Sequence, residues 1–219
     1  MATRRDANLA ILSSAVLAAV PGLAMAQTPP PLELPAPRAS GGKPLIDALK
    51  QRRSTREYAD RPLPAQLLSD LLWAAFGVNR PASGDRTAPS WRHAVEIGIY
   101  VTTADGVWRF EPQGHRLKPL LRGDIRAQTG VQDFVRIAAV NLVYVADGSR
   151  MRNASEDDKR LWAYTDTGFI GQNVYLYCAS EGLASVFRGS LDRESLARTL
   201  QLERHEFITC AQSVGYPTG

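Results

Sequence analysis

Lys159 to Glu181 reads KRLWAYTDTGFIGQNVYLYCASE, and the interpretation of this run decides the fold. Leu161, Trp162, Phe169, Ile170, Val174, Leu176 and Tyr177 fall on nearly all sides of a helix, the pattern of an element buried at the centre of a protein or crossing a membrane. At about 1.5 Å per residue such a helix spans roughly 35 Å. Asp166, Thr167, Gln172 and Asn173 lie in its middle, and polar side chains in hydrocarbon are costly. The run therefore predicts a central buried helix, stopped at Gly182. Gly168 and Gly171 leave a flat spot where another helix or a flat ligand can approach closely.

Working outward, Ala184 to Arg188 reads as a short strand, Gly189-Ser190 as a turn and Asp192 to Leu200 as an amphipathic helix with Leu196 and Leu200 inward. Glu206 to Val214 is the last strand, and Gly215-Tyr216-Pro217 closes the domain. On the N-terminal side, residues 147–158 are polar, and Ala138 to Ala146 is apolar and valine-rich, as expected of a strand buried on both faces. Ala94 to Thr102 alternates in strand fashion. It returns through Asp105-Gly106, a strong hairpin signal, to Val107–Phe110. His115 to Leu121 adds a short strand or turn, and Asp124 to Phe134 is weakly helical. Ala65 to Phe76 carries Leu67, Leu68, Leu71, Leu72 and Ala75 at helical spacing, with Gly77 as a stop. Residues 78–92 form a long loop of turn formers, a kind of segment that is often functional. This order predicts an α+β fold, a mixed sheet flanked by helices.

The bulk numbers fit one domain with a removable end. Of the 219 residues, 44% are apolar and 22% charged, with a net charge of +4. The basic residues are dispersed among acids without a Lys/Arg stripe, so nucleic acid is set aside. Residues 1–26 read as an export signal: Arg4-Arg5, an apolar stretch from Leu9 to Leu23, and the small-x-small site Ala24-Met25-Ala26. Cleavage there predicts a periplasmic protein with no stable membrane span. The paired arginines hint at the twin-arginine route, although Asp6 follows them. Residues 27–43 are rich in proline with Ser, Ala and Gly and read as an extended linker. The folded domain is expected to occupy residues 44–219.

Near its start, Gln51-Arg52-Arg53-Ser54-Thr55-Arg56-Glu57-Tyr58 concentrates guanidinium forks and hydroxyls with only Glu57 to neutralise them. Such a run suits a phosphate or another compact anion. Taken alone it also fits a solvated basic turn at a helix end. Other constellations fail. His93, His115 and His205 lack metal-ligand spacing, no G-x-S-x-G or G-x-G-x-x-G is present, and neither Cys178 nor Cys210 lies in a nucleophile context. Both cysteines read as buried thiols, with a disulfide between them left open by export.

Several stretches then line up. Arg52-Arg53-Ser54-x-Arg56-x-Tyr58, Arg86-Thr87-Ala88-Pro89-Ser90, Glu96-Ile97, and Asp166-x-Gly168-x-Ile170-x-Gln172-Asn173-x-Tyr175-Leu176 occur in order. They are followed by Glu181-Gly182-Leu183, Arg188-Gly189-Ser190 and Val214-Gly215-Tyr216-Pro217. Together they resemble the nitroreductase family of flavoproteins, including its thiazoline-oxidase-like dehydrogenase branch, over about residues 44–217.

The resemblance implies a homodimer with FMN at the subunit interface and the long helix in the dimer core. It places Arg52, Arg53, Ser54 and Arg56 around the FMN phosphate, ribityl chain and ring edge. Pro89 and Ser90 would lie along the flavin, and Phe187, Arg188 and Gly189 beside the ring, where backbone N–H groups reach N5 and O4. Two departures stand out. His93 replaces an Asn common in relatives, so it either donates to the flavin or is a plain loop histidine. The chain also lacks a basic residue after Gly215-Tyr216-Pro217, which leaves the phosphate to Arg52, Arg56 and Arg188. The implied activity is FMN-dependent oxidoreduction with ping-pong electron or hydride transfer through flavin N5, involving a small nitro, quinone or related compound. Outside the cytoplasm the electron donor is open. The alternative is an exported non-catalytic binding or assembly protein with weakened flavin binding.

Overall fold

A computed structural model describes residues 32–38 and 40–218. The expected export signal lies outside the described residues. Among the described residues are nine strands and four α-helices: β1 (Leu32–Glu33), α1 (Leu45–Gln51), α2 (Ala65–Phe76), β2 (Val78–Arg80), β3 (Asp85–Arg86), β4 (Ile97–Thr102), β5 (Gly106–Glu111), β6 (Arg116–Arg122), β7 (Val140–Asp147), α3 (Glu156–Glu181), β8 (Ala184–Arg188), α4 (Arg193–Thr199) and β9 (Glu206–Gly215). Seven strands form one antiparallel sheet in the order β1-β6-β5-β4-β7-β9-β8, and β2 pairs with β3 separately.

Period-two alternation sorts the sheet's side chains onto two covered faces. On one face Ile97, Ile99, Val101, Leu142 and Tyr144 meet Leu71, Leu72 and Phe76 of α2 and Ala163, Ile170 and Val174 of α3. On the other, Tyr100, Val107, Val143, Val145 and Ile208 meet Leu196 and Leu200 around α4. β7 feeds both cores, which explains its unbroken apolar sequence.

α3 begins earlier than its apolar pattern because the Ser155 side chain accepts the Asp158 N–H, and Glu156, Asp157 and Asp158 complement the helix dipole. Gly182 ends it in the left-handed region at φ 72. The helix is less enclosed than its composition predicts. Ala163, Ile170, Gly171 and Val174 are buried, whereas Leu161 (59%), Trp162 (37%) and Phe169 (45%) are exposed. Leu45, Ile46 and Leu49 of the neighbouring α1 are exposed as well.

Three other expectations change. The compositional linker is partly built into the fold: Leu32 and Glu33 pair with Leu117 and Arg116, and Arg38 binds Asp70 and Glu181. An extended, proline-rich chain is suited to a sheet edge, where missing N–H donors do little harm. Residues 124–134 form no α-helix, only 3-10 turns at Arg126–Thr129 and Asp133–Arg136. Gly130 between them is extended, and a Cβ there would lie 2.2 Å from Arg188 Nη1. The loop of residues 78–92 contains the β2–β3 pair. Cys178 and Cys210 are separate buried thiols.

Candidate functional site

α1 stops at Gln51 because Arg52 leaves helical geometry (φ −56, ψ 121), and the basic run continues beside β8. β8 is an outer strand of the sheet, so its backbone groups on that side need partners. Thr55 N–H donates to Ser185 O at 2.9 Å, and Phe187 N–H donates to Tyr175 Oη at 2.8 Å. Tyr175 Oη lies 2.7 Å from Ser54 Oγ. Tyr175 Oη thus accepts from Phe187 N–H and shares a hydrogen bond with Ser54 Oγ in which either hydroxyl can donate. Arg52 lies over the Tyr175 ring, 5.1 Å from its centroid. Buried Tyr58 fixes the end of the run by donating to Thr55 O at 2.9 Å.

Part of this assembly borders a recess of about 300 Å³ whose wall includes Lys50, Arg52, Arg53, Thr55, Tyr175 and Ser185 and contains no Asp or Glu; Ser54 and Arg56 lie outside that wall. Among the described residues no carboxylate forms an ion pair with Arg52, Arg53 or Arg56. Unneutralised guanidinium groups beside a hydroxyl are chemically suited to an anion.

Pro89, Ser90 and His93 lie elsewhere. Ser90 Oγ accepts the Val95 N–H at 3.1 Å, and Trp91 N–H donates to Asp166 Oδ2 at 2.6 Å. Arg92, His93 and Val95 all have positive φ (45, 57 and 50). This conformation is costly for Val in particular, and such strain concentrates at functional loops. The loop is anchored at Asp166 and the basic run at Tyr175, which are nine positions apart on α3, or about 13.5 Å at 1.5 Å per residue. The two groups of predicted residues are therefore held at separate places along α3. His93 is exposed, with Nδ1 3.5 Å from Asp85 Oδ1.

The third predicted group needs correction. Arg188 is 5% exposed and points into the protein: its Nε donates to Ser213 Oγ, and its Nη atoms donate to Thr129 O, Thr129 Oγ1 and Asn141 Oδ1. Burial brings this guanidinium down to about 10, while nearby Tyr58 acts in the opposite direction. It is unavailable to a phosphate at the recess. Phe187 is also committed, its N–H to Tyr175 and its ring to a stack on Tyr144 at 5.9 Å. The ladder with β9 ends at Arg188↔Ala211, leaving exposed Gly189 next along the strand.

Sequence reasoning missed Tyr175, Asp166 and Glu96. Glu96 is 1% exposed and in hydrogen-bonding contact with Asp166. Burial first, then Asp166, push its carboxyl up to about 8, opposed by Arg150. Neither Glu96 oxygen has a donor among the described residues, which fits a protonated carboxyl donating to Asp166. The signal for Asp166 was present, since a carboxylate in an apolar helix requires a donor.

Comparison with known proteins adds a family context to this geometry. The model of the family described as "Nitroreductase family" matches residues 49–216. A candidate nitroreductase of Methanocaldococcus jannaschii is 29% identical over 174 residues, covering 75% of this chain and 87% of that protein. The crystal structure of a candidate nitroreductase from Ralstonia eutropha JMP134 matches with a TM-score of 0.83 at 40% identity, covering 86% of this chain and 90% of that one. NADPH:FMN oxidoreductase of Vibrio harveyi, complexed with NAD+, gives a TM-score of 0.62 at 21% identity, covering 80% of this chain and 69% of that one. At that identity the likeness is one of fold.

Proposed function

The chain belongs to the nitroreductase family, and on that premise we propose that it is an FMN-dependent oxidoreductase acting as an exported, periplasmic homodimer. The observation that carries this reading is the Arg52–Arg56 run, held against β8 with Arg52, Arg53 and Arg56 unpaired with any carboxylate among the described residues. A dianionic phosphate fits that donor set. Arg52 and Ser54 would hold it, with Arg53 and Arg56 adding positive potential. Gly189 would lie beside the ring, in place of the committed Phe187 N–H.

The separation of the two groups of predicted residues and the exposed apolar residues of α1 and α3 support a dimer. In that arrangement the partner's loop, equivalent to residues 89–95, completes the site, and Leu161, Trp162 and Phe169 are covered. When bound, the flavin supplies two-electron redox chemistry between a donor and a small nitro, quinone or related acceptor. The protein binds the cofactor's anionic end, positions its ring and excludes water.

A second reading, a binding protein that keeps the fold with weakened flavin affinity, is favoured by His93, which faces solvent beside Asp85. The two separate by colour and titration. The enzyme reading expects a flavin spectrum that bleaches with dithionite, or saturable quenching of added FMN, and Arg52→Ala should release the cofactor. A colourless protein that refuses FMN overturns it. Size-exclusion chromatography with light scattering tests the dimer.

A further inference from the structure

The ladder between β4 and β5 runs only from Thr102↔Val107 to Tyr100↔Arg109. β4 nevertheless pairs with β7 as far as Ile97↔Ala146, and β5 with β6 as far as Glu111↔Arg116. The two strands therefore part in the interior of the sheet, over Ile97–Ile99 and Phe110–Glu111. A cavity of about 610 Å³ occupies the opening and reaches both faces, with Phe76 and Ile99 on one and Tyr100 and Arg109 on the other. It shares no wall residue with the recess at Arg52.

The charge of this cavity is one-sided. Arg86, Arg109, Arg116, Lys118 and Arg150 line it against only Glu96 and Glu111. Glu111 is held by Arg116 at 2.7 Å, and Glu96 is turned to Asp166. Arg86 is 8% exposed and donates through Nη2 to Gln113, while its Nε and Nη1 have no partner among the described residues. Burial first, and the charge of Arg150 second, disfavour its charged form. Arg109 and Lys118 are directly opposed cross-strand partners, and neither has a carboxylate in ion-pair range among the described residues. Arg109 reaches across Gly98, where a Cβ would sit 3.7 Å from its nitrogens. Opposed like charges and an uncompensated buried guanidinium both destabilise a free protein, and an anion between them would relieve both costs.

We infer that the opening between β4 and β5 is a binding site for a small organic anion. Its carboxylate or phosphate lies between Arg109 and Lys118, with Arg86 behind, and its carbon body lies against Ile99 and Phe110. The cavity shares His93, Ala94 and Val95 with the loop assigned to the flavin, but Arg109, Lys118 and Arg86 lie outside that assignment, and the site is tested without reference to flavin content.

The test is calorimetric titration of the full-length protein with two probes, benzoate and phenyl phosphate. The titrations use the Arg52→Gln background, where the recess at Arg52 is weakened; saturable binding is expected there, reduced about tenfold or more by adding Arg109→Gln or Lys118→Gln. The tighter probe identifies the preferred head group. Without a probe, Arg109→Gln and Lys118→Gln should melt at or above the wild-type temperature, which separates lost binding from lost folding. Absence of saturable binding of either probe overturns the inference. So does binding that survives both substitutions, or binding that Arg52→Gln abolishes.

Discussion

Replacing Glu96 by Gln preserves the side chain's size and its contact with Asp166 while removing its ability to ionise. Glu96 is 1% exposed, and its carboxyl is raised from 4.5 to about 8 by burial and by Asp166. Below 4.5 the carboxyl is protonated in folded and unfolded chains alike, so the stability associated with the proton is fully present. Between 4.5 and about 8 the unfolded chain releases the proton and the folded chain keeps it, so stability falls as pH rises. Each pH unit in that window costs about 1.4 kcal/mol, which amounts to about 3 kcal/mol by pH 7. Glu96→Gln escapes this cost. Urea unfolding followed by circular dichroism at pH 5, 6, 7 and 8 should show the variant about 3 kcal/mol more stable than wild type at pH 7. The advantage should shrink to under about 1 kcal/mol at pH 5. Parallel pH profiles, or a variant weakened at pH 7, would refute the reasoning, because they mean that the folded chain carries an ionised, well-partnered Glu96.

Three further outcomes follow from the packing. Tyr175→Phe removes the acceptor of the Phe187 N–H and the hydrogen bond shared with Ser54, costing about 1–2 kcal/mol in urea unfolding and weakening FMN retention in equilibrium dialysis. Gly171→Ala places a Cβ 2.6 Å from the Phe187 ring, and the overpacking should cost about 1–3 kcal/mol, read as a lowered unfolding midpoint. Arg188→Leu leaves Thr129, Asn141 and Ser213 without their shared donor in a buried setting and should cost about 3 kcal/mol or more. An Arg188→Leu variant that unfolds like wild type would return Arg188 to the list of phosphate-binding candidates.

The sequence disclosed periodic features well. α2 begins at Ala65 and ends at Phe76 as its leucine spacing predicts, the Asp105-Gly106 hairpin forms, and β7 is buried on both faces. These signals are local, carried by residues two to four positions apart. Pairings between distant residues leave little trace in composition. Leu32 paired with Leu117, or Arg38 with Asp70, cannot be inferred from proline content. Half of the candidate site was legible because Arg52, Ser54 and Arg56 are contiguous. The direction of Arg188 was not, because it depends on Thr129, Asn141 and Ser213 arriving from three other segments. Tyr175 was hidden for another reason: on a helix with an apolar circumference its hydroxyl is invisible to periodicity.

The position of β8 at the rim of the sheet has a consequence for solubility. An unpaired strand rim is a template on which a second chain can add and assemble into aggregates. Here the rim is closed by Thr55 at Ser185 and by Tyr175 at Phe187, and Ser54, next to Thr55, is hydrogen-bonded to Tyr175. The segment that carries Arg52, Arg53 and Arg56 thus also acts as the guard of that rim. Loosening it uncovers hydrogen-bonding groups of Ser185 and Phe187 together, so damage at this site should appear as self-association at high protein concentration as well as altered binding.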